Sequence, residues 1–370
     1  MEIIHLVLGK ANPERMNGVN KVAHNLCTTQ SDLGIKVDLW GITPNREKNY
    51  PDRNYGTILF DSKKSKLSVD QELKTAIENI KPGTVVHMHG AFIPEFYHIS
   101  ALLKRAKVPY VFTPHGSYAP GAMEKNPVVK NVYFKLAEQR ILKNAKAIQL
   151  LGKSEFENLG RMLRLQNRVM IPNGQDMNDI PSLEKTYTHH DPVFGFCGRI
   201  DIRHKGLDLF FKGFREFLDK GGRGRIELIG NGADMERLQE LGGKLNLDQH
   251  VTYHGAMFGA GKFDIINAFD LFVHTSRMEG FPTAVLEAAA LQVPCITSEP
   301  TNASDYIREY DAGFTIDVNE PKYIANAFLA AEQAFRHGGL PAKGANGLKM
   351  VIQEFSWEKV AQDLIEVYAA

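Results

Sequence analysis

Short runs rich in β-branched and aromatic residues alternate with helix-length segments along this chain, and they do so in two successive series. Alternation of that kind is the signature of parallel α/β layering, because parallel strands need helical crossovers between them. In the first series the strand candidates are residues 3–8, 36–40, 84–89, 110–113, 147–151 and 168–171, with helix-length segments at 18–33, 94–106 and 127–144. Pro172-Asn173-Gly174 then breaks the pattern, and the polar stretch 175–191, with Pro181 and His189-His190, reads as a linker. The second series has strand candidates at 193–197, 225–229, 251–254, 271–274, 293–297 and 313–316. Its expected helices are 206–219, 233–245, 261–268, 282–291 and 321–336. A last amphipathic segment, 357–368, carries Val360, Leu364 and Val367 at helical spacing.

A chain of 370 residues exceeds what one hydrophobic core usually holds, about 250–300 residues, so two domains are expected. The reading is an N-terminal Rossmann-like domain over 1–175, a linker over 176–191, a second Rossmann-like domain over 192–355, and a C-terminal helix over 356–370 that can pack on either domain, the N-terminal one included. Both domains are expected as doubly wound parallel sheets facing each other across a cleft. Ligands of such sheets bind beyond the carboxyl ends of the strands, which puts the expected site in that crevice.

Composition narrows the class of protein. With 43% apolar and 24% charged residues the chain is neither disordered nor collagen-like. No apolar run approaches the roughly 18 residues of a membrane span, and Met1-Glu2-Ile3-Ile4-His5 lacks the basic start of a signal peptide, so the cytoplasm is the expected compartment. Cys27, Cys197 and Cys295 are isolated, which offers no disulfide framework and no zinc site; each reads as a small buried apolar residue. The formal net charge of +1 conceals an asymmetry: 25 basic against 15 acidic residues in 1–175, and 19 against 28 in the remainder. Opposite signs suit two domains attracting across a cleft, a basic half resting on an anionic membrane, or ordinary surface variation. No nucleic-acid-binding module is visible.

Four groups of residues fall just after strand candidates. Gly198-Arg199 is followed by Lys205-Gly206 opening a helix, and a guanidinium fork, an ammonium and free helix N–H groups suit a diphosphate. Gly230-Asn231-Gly232 permits a tight turn and close backbone approach to a ligand, or serves as a plain strand-to-helix turn. Glu279-Gly280-Phe281-Pro282-Thr283 leads into Ala284-Val285-Leu286-Glu287, with Pro282 placed as the first helical residue. Two carboxylates at this spacing reach one pocket at different depths and accept from the hydroxyls of a sugar or ribose. Glu287 lies in an otherwise apolar helix, where a carboxylate is costly unless paired or bound. His115-Gly116-Ser117 follows strand 110–113, where a histidine can donate to a ligand hydroxyl or phosphate. His87 and His89 alternate along the strand, one expected on each face of the sheet; HxH spacing can bind a metal, but no third ligand is evident.

Taken together, Gly198-Arg199…Lys205-Gly206 and the EX7E pair Glu279…Glu287, with EGFP at its head, resemble the retaining glycosyltransferases of family 4, which have the GT-B fold. Asn17-Gly18 stands where the family has a glycine pair, His115-Gly116 follows a first-domain strand, and five residues separate Arg199 from Lys205, one more than the commonest form. The resemblance implies that Arg199 and Lys205 bind the donor diphosphate and that Glu287 bonds the nucleotide ribose. It implies that Glu279 holds hydroxyls of the transferred sugar, helped by the N–H groups of Gly280, Phe281 and Thr283 beside Pro282. His115 approaches the donor sugar from the first domain, and Gly18 lets the first loop come close to diphosphate and acceptor. Gly198, Gly230, Gly232 and Phe258 complete the implied donor-binding set.

The implied reaction moves a hexose from a nucleotide-diphosphate sugar, a UDP-sugar before a GDP-sugar, to a sugar or lipid-linked acceptor. Its implied setting is cell-surface polysaccharide or glycolipid synthesis, with retention at the anomeric carbon. No DxD motif is present, and neither a metal nor another cofactor is expected. Six basic residues (Lys125, Lys130, Lys135, Arg140, Lys143 and Lys146) surround Val128, Val132, Phe134, Leu136 and Ile141, which suits a peripheral contact with the inner face of the plasma membrane or a solvated basic helix. A sugar-nucleotide epimerase or hydrolase of the same architecture, or a non-catalytic sugar-nucleotide-binding protein, are the competing readings.

Overall fold

The computed structural model describes all residues except 13–17, 64, 66, 67 and 125, so the expectations for Asn17 and Lys125 lie outside the described residues. The chain divides into two compact units: Met1–Gly174 together with Trp357–Ala370, and Gln175–Ser356.

The first unit is built on seven parallel strands, β1 (Glu2–Leu8), β2 (Lys36–Thr43), β3 (Gly56–Asp61), β4 (Thr84–His89), β5 (Tyr110–Thr113), β6 (Ala147–Leu150) and β7 (Arg168–Met170), in the order β3-β2-β1-β4-β5-β6-β7. The second has six, β8 (Val193–Cys197), β9 (Arg225–Ile229), β10 (Val251–Gly255), β11 (Leu271–His274), β12 (Cys295–Ser298) and β13 (Gly313–Ile316), in the order β10-β9-β8-β11-β12-β13. Every strand pairing is parallel. Both are doubly wound Rossmann-like sheets, and in each the strand order reverses once: between β1 and β4, and between β8 and β11. Those two places are the topological switch points, where crossover helices on opposite faces leave an opening at the strand ends.

Burial explains the sequence patterns. Central strands such as β4 and β8 are covered on both faces, so they read as unbroken buried runs rather than as an alternation. The helix Leu207–Asp219 packs Phe210, Phe211, Phe214 and Phe217, none of them accessible, against Phe194 and Phe328. Its Gly213 lies so close to Ile324 of the helix Pro321–Arg336 that a Cβ would stand 2.5 Å from the isoleucine side chain.

Several elements differ from the sequence reading. Strand β3 and the helices Gln71–Glu78, Lys153–Met162, Ser304–Glu309 and Leu340–Phe355 were not anticipated. Residues 127–144 form one unbroken helical run, as expected, in which a π-helical turn, Phe134–Glu138, lies between Pro127–Tyr133 and Gln139–Asn144 and carries the buried Glu138. The stretch 176–191 packs on the second unit, with Ile180 in its core, Lys185 Nζ donating to Asn267 O (2.7 Å), and His189 Nδ1 2.9 Å from Asp270 Oδ2. The helix Trp357–Ala369 belongs to the first unit, where Val360, Leu364 and Tyr368 pack with Ile3, Leu26 and Val85. No helix among the described residues is long and apolar enough to cross a membrane.

Candidate active site

The second unit brings the EX7E carboxylates to its switch point. Beyond β8, Asp201 caps a one-turn helix, Ile202–Lys205, by accepting from His204 N (3.0 Å). Gly206 then takes φ +63°, and a Cβ there would stand 2.1 Å from Thr275 O. Only glycine tolerates that backbone and that approach, so the loops after β8 and β11 touch at this point. Lys205 therefore closes a short helix instead of opening the long one, which begins at Leu207.

Glu279, in the loop after β11, collects the donors. Lys205 Nζ, His274 Nε2 (3.0 Å) and Ser276 Oγ (3.1 Å) all bond its Oε1. Burial works against its charge, but the His274 hydrogen bond and the charge and hydrogen bond of Lys205 outweigh it and hold the carboxyl down at about 2. Burial pulls His274 the other way, toward the neutral ring, and its buried Nδ1 has no hydrogen-bond partner among the described residues. Asn302 Nδ2 bonds the carbonyls of Glu279 (2.9 Å) and Gly280 (2.8 Å), and Asn319 Nδ2 bonds that of Thr275 (2.9 Å). The loop is therefore fixed from below by two amides.

The following helix is Thr283–Ala290, with Pro282 as its N-cap, not its first residue. Glu287 on this helix meets Lys262 (Nζ to Oε1, 2.8 Å), so the apolar helix carries a paired carboxylate. Cys197, the last residue of β8, senses Glu287, Lys262 and Lys205 together, and burial pushes its thiol up to about 11. Both carboxylates and both ammonium groups therefore gather around one strand end. Arg199 extends from the same loop; its side chain is 70% exposed and touches Asp201 at 3.5 Å. Phe281 packs against Phe355 and Tyr306, whereas Phe258 is exposed. The glycines after β9 serve the protein itself: a Cβ on Gly230 or Gly232 would collide with Gly198 O (1.8 Å) or Ile200 O (2.1 Å). They let the loops after β8 and β9 close-pack.

In the first unit, Gly18 opens the helix Gly18–Asp32, and no atom of the described residues lies within 4 Å of where its Cβ would stand. His115 adopts φ +54° and Gly116 φ +79°. The turn they form is held by Glu155, which accepts from Tyr118 N (3.2 Å) and Leu151 N (3.3 Å), and by Asn158, which donates to Tyr118 O (2.7 Å). His87 and His89 do not lie on opposite faces. Two residues apart on a strand they share one face, and their rings stack with centroids 4.2 Å apart. The third histidine that the sequence did not reveal is His5, in register with His87 on β1. Ring nitrogens of His5, His87 and His89 lie within 4.8 Å of one another. All six of these nitrogens are hydrogen-bonded.

Lys262, His274, Ser276, Asn302 and Asn319 are the site residues the sequence reading missed. One signal was available for two of them: the polar run His274-Thr275-Ser276 ends an otherwise apolar strand.

Comparison with known proteins agrees with this architecture. The model of glycosyltransferase family 4 matches residues 16–179, and that of glycosyl transferases group 1 matches residues 182–334. The chain belongs to the group 1 glycosyltransferases with the GT-B fold. It is similar to the capsular polysaccharide biosynthesis glycosyltransferase CapM of Staphylococcus aureus, with 28% identity over 178 residues, 48% of this chain and 45% of that protein. The matched stretches span about half the length of such curated relatives. Among solved structures it resembles sucrose-phosphate synthase from Thermosynechococcus elongatus (TM-score 0.68, 19% identity, 100% of this chain and 98% of that one). It also resembles Anabaena HepE in complex with UDP (TM-score 0.69, 15% identity, 100% of both chains).

Proposed function

We propose that the protein is a retaining hexosyltransferase that moves a sugar from a nucleotide diphosphate, UDP before GDP, to a sugar or lipid-linked acceptor in cell-surface polysaccharide or glycolipid synthesis. The observation that carries this reading is the gathering of Lys205, Glu279, Lys262 and Glu287 around the end of β8. CapM acts in capsular polysaccharide biosynthesis and HepE binds UDP, which supports the substrate class.

In this reading Arg199 and Lys205 take the diphosphate, with the N–H groups of Gly280, Phe281 and Thr283 alongside and Gly198, Gly230 and Gly232 shaping the loops. Glu287 bonds the ribose, Glu279 the sugar hydroxyls, and exposed Phe258 lies beside the nucleotide. Gly18 and His115 serve the donor from the first unit. The reaction breaks the bond between the anomeric carbon and the phosphate oxygen and forms one to the acceptor oxygen on the same face. The departing phosphate oxygen takes the acceptor's hydroxyl proton. Charge develops on the leaving diphosphate, and two preorganised cations with free amides offset it; the proposal requires no metal.

The first unit offers the acceptor a pocket at the ends of β1 and β2, lined by Gly9, Lys10, Thr43 and Asn45 among others. Peripheral membrane contact is part of the proposal, because Val128, Val129, Val132 and Leu136 are all exposed in the basic segment. Incubation with a panel of labelled nucleotide sugars, with and without acceptor, tests the function. Acceptor-dependent release of nucleotide supports it. Release without acceptor indicates the epimerase or hydrolase, and binding without turnover indicates the binding protein.

A further inference from the structure

Two sets of buried hydrogen bonds lie within the first unit, one from the carbonyl of Ile171 to the Tyr368 hydroxyl and one from Gln30 to the ring of His115, and their directions can be worked out. Gln149 Nε2 donates to Ile171 O (3.0 Å), which turns Gln149 Oε1 into an acceptor. Thr113 Oγ1 lies 2.6 Å from that oxygen, so its single proton goes there. His87 Nε2, 2.6 Å from the same Oγ1, has to supply its own proton. Burial keeps the rings of His5, His87, His89 and His115 neutral, so each carries one N–H. His87 Nδ1 is consequently bare and accepts from the Tyr368 hydroxyl at 2.6 Å.

With its proton spent, the Tyr368 oxygen can only accept. Gln30 Nε2 is buried and has no hydrogen-bond partner among the described residues. Gln30 Oε1 lies 2.8 Å from His5 Nε2, and an amide oxygen only accepts, so His5 Nε2 is N–H. His5 Nδ1 then accepts from His89 Nε2 (2.8 Å), and His89 Nδ1 accepts from His115 Nε2 (3.0 Å).

We infer that this network is a tautomer lock, in which Gln30, His5 and His89 act as positioning residues that present His115 Nδ1 as a bare hydrogen-bond acceptor. The Nδ1 atom has no hydrogen-bond partner among the described residues. An acceptor binds a hydroxyl proton and repels a phosphate oxygen, so the ligand group at His115 is a sugar hydroxyl. This reverses the donor role expected from sequence, and it rests on the proposal that His115 serves the donor sugar. The same bonds argue against a metal in the cluster, since His5 Nδ1 and His89 Nε2 share a proton at 2.8 Å.

The test is long-range proton–nitrogen NMR of the unliganded protein with labelled histidine, His115 being assigned by loss of its signals in His115→Phe. The expected spectrum shows His115 protonated at Nε2 and unprotonated at Nδ1, with Gln30→Leu losing that fixed tautomer. A protonated Nδ1, an exchanging mixture in the wild type, or an unchanged His115 in Gln30→Leu overturns the lock. If Gln30→Leu fails to fold, the wild-type spectrum decides. The sugar role is read separately: His115→Phe should weaken UDP-glucose binding roughly tenfold, the worth of one hydrogen bond, and leave UDP binding unchanged. Unchanged binding of both ligands beside the expected tautomer removes the sugar role and leaves the lock standing.

Discussion

Lys205 and Glu279, 74 residues apart in sequence, meet as an ammonium–carboxylate pair where β8 and β11 part. Each holds the other in place, and under the proposed function an arriving diphosphate would find the ammonium already oriented. Preorganised charge of this kind acts on the developing charge of the leaving group without reorganisation. Lys205→Ala is expected to lower kcat for transfer by about 10² or more. Thermal unfolding of the same variant should show a lower Tm, because Glu279 keeps its buried position with one cation fewer.

Arg199 should separate catalysis from folding. Its guanidinium is largely exposed and, among the described residues, has only a 3.5 Å contact with Asp201. Arg199→Ala is expected to unfold like the wild type yet lose transfer by a factor of about 10². Near-normal turnover in this folded variant would remove the phosphate role of Arg199.

The depressed Glu279 carboxyl has a consequence for acid stability. A carboxyl lowered from 4.5 to about 2 in the folded chain contributes stability above pH 4.5 and loses it as the pH falls toward 2. Glu279→Gln should be less stable than the wild type by about 2–3 kcal/mol at pH 7. Urea unfolding curves at a series of pH values should show that gap closing between pH 4.5 and 2.

Two carboxyls of the first unit behave oppositely. Burial raises Glu138 and Glu155 to about 7, against the hydrogen bonds they accept from Tyr118, Phe92 and Leu151. The folded chain therefore holds protons that the unfolded chain releases, and stability falls as the pH rises from 4.5 through 7. Glu138→Gln should flatten part of that slope in melting curves recorded from pH 5 to pH 8.

The exposed apolar residues of the basic segment predict sedimentation with vesicles containing anionic lipid at low salt, weakened at high salt. Replacing Val128, Val132 and Leu136 together by serine should reduce the bound fraction several-fold. Absence of binding at either salt concentration would eliminate the membrane contact.

Strand positions were legible in the sequence wherever a strand is buried on both faces, as in β4, β5, β8 and β11. The edge strand β3 was missed because its residues alternate in exposure and its six-residue run is closed by Asp61. The helix Leu340–Phe355 was missed for a different reason. It contains Pro341, Gly344 and Gly347, which read as loop signals. A Cβ on Gly344 would stand 2.1 Å from Gln292 O, and one on Gly347 3.4 Å from Ala289. These glycines permit close helix packing, a property of tertiary contact that local propensity does not encode. The site followed the same rule. Glu279, Glu287, Arg199 and Lys205 stood out through their spacing, whereas Asn302, Asn319 and Lys262 support them from positions with no local signature. His5 stayed hidden because its partner His89 lies 84 residues away.

The helix Trp357–Ala369 closes the core of a unit that began at Met1, with Trp357 lying against Gly174 and Tyr368 bonded to His87. During synthesis the ribosome therefore releases the whole of Gln175–Ser356 before the first sheet receives its last covering element. The earlier half of the chain waits, partly uncovered, for its final residues, and a nascent chain halted before residue 357 would expose Ile3, Val85 and Val111 to chaperones while the later half was already complete.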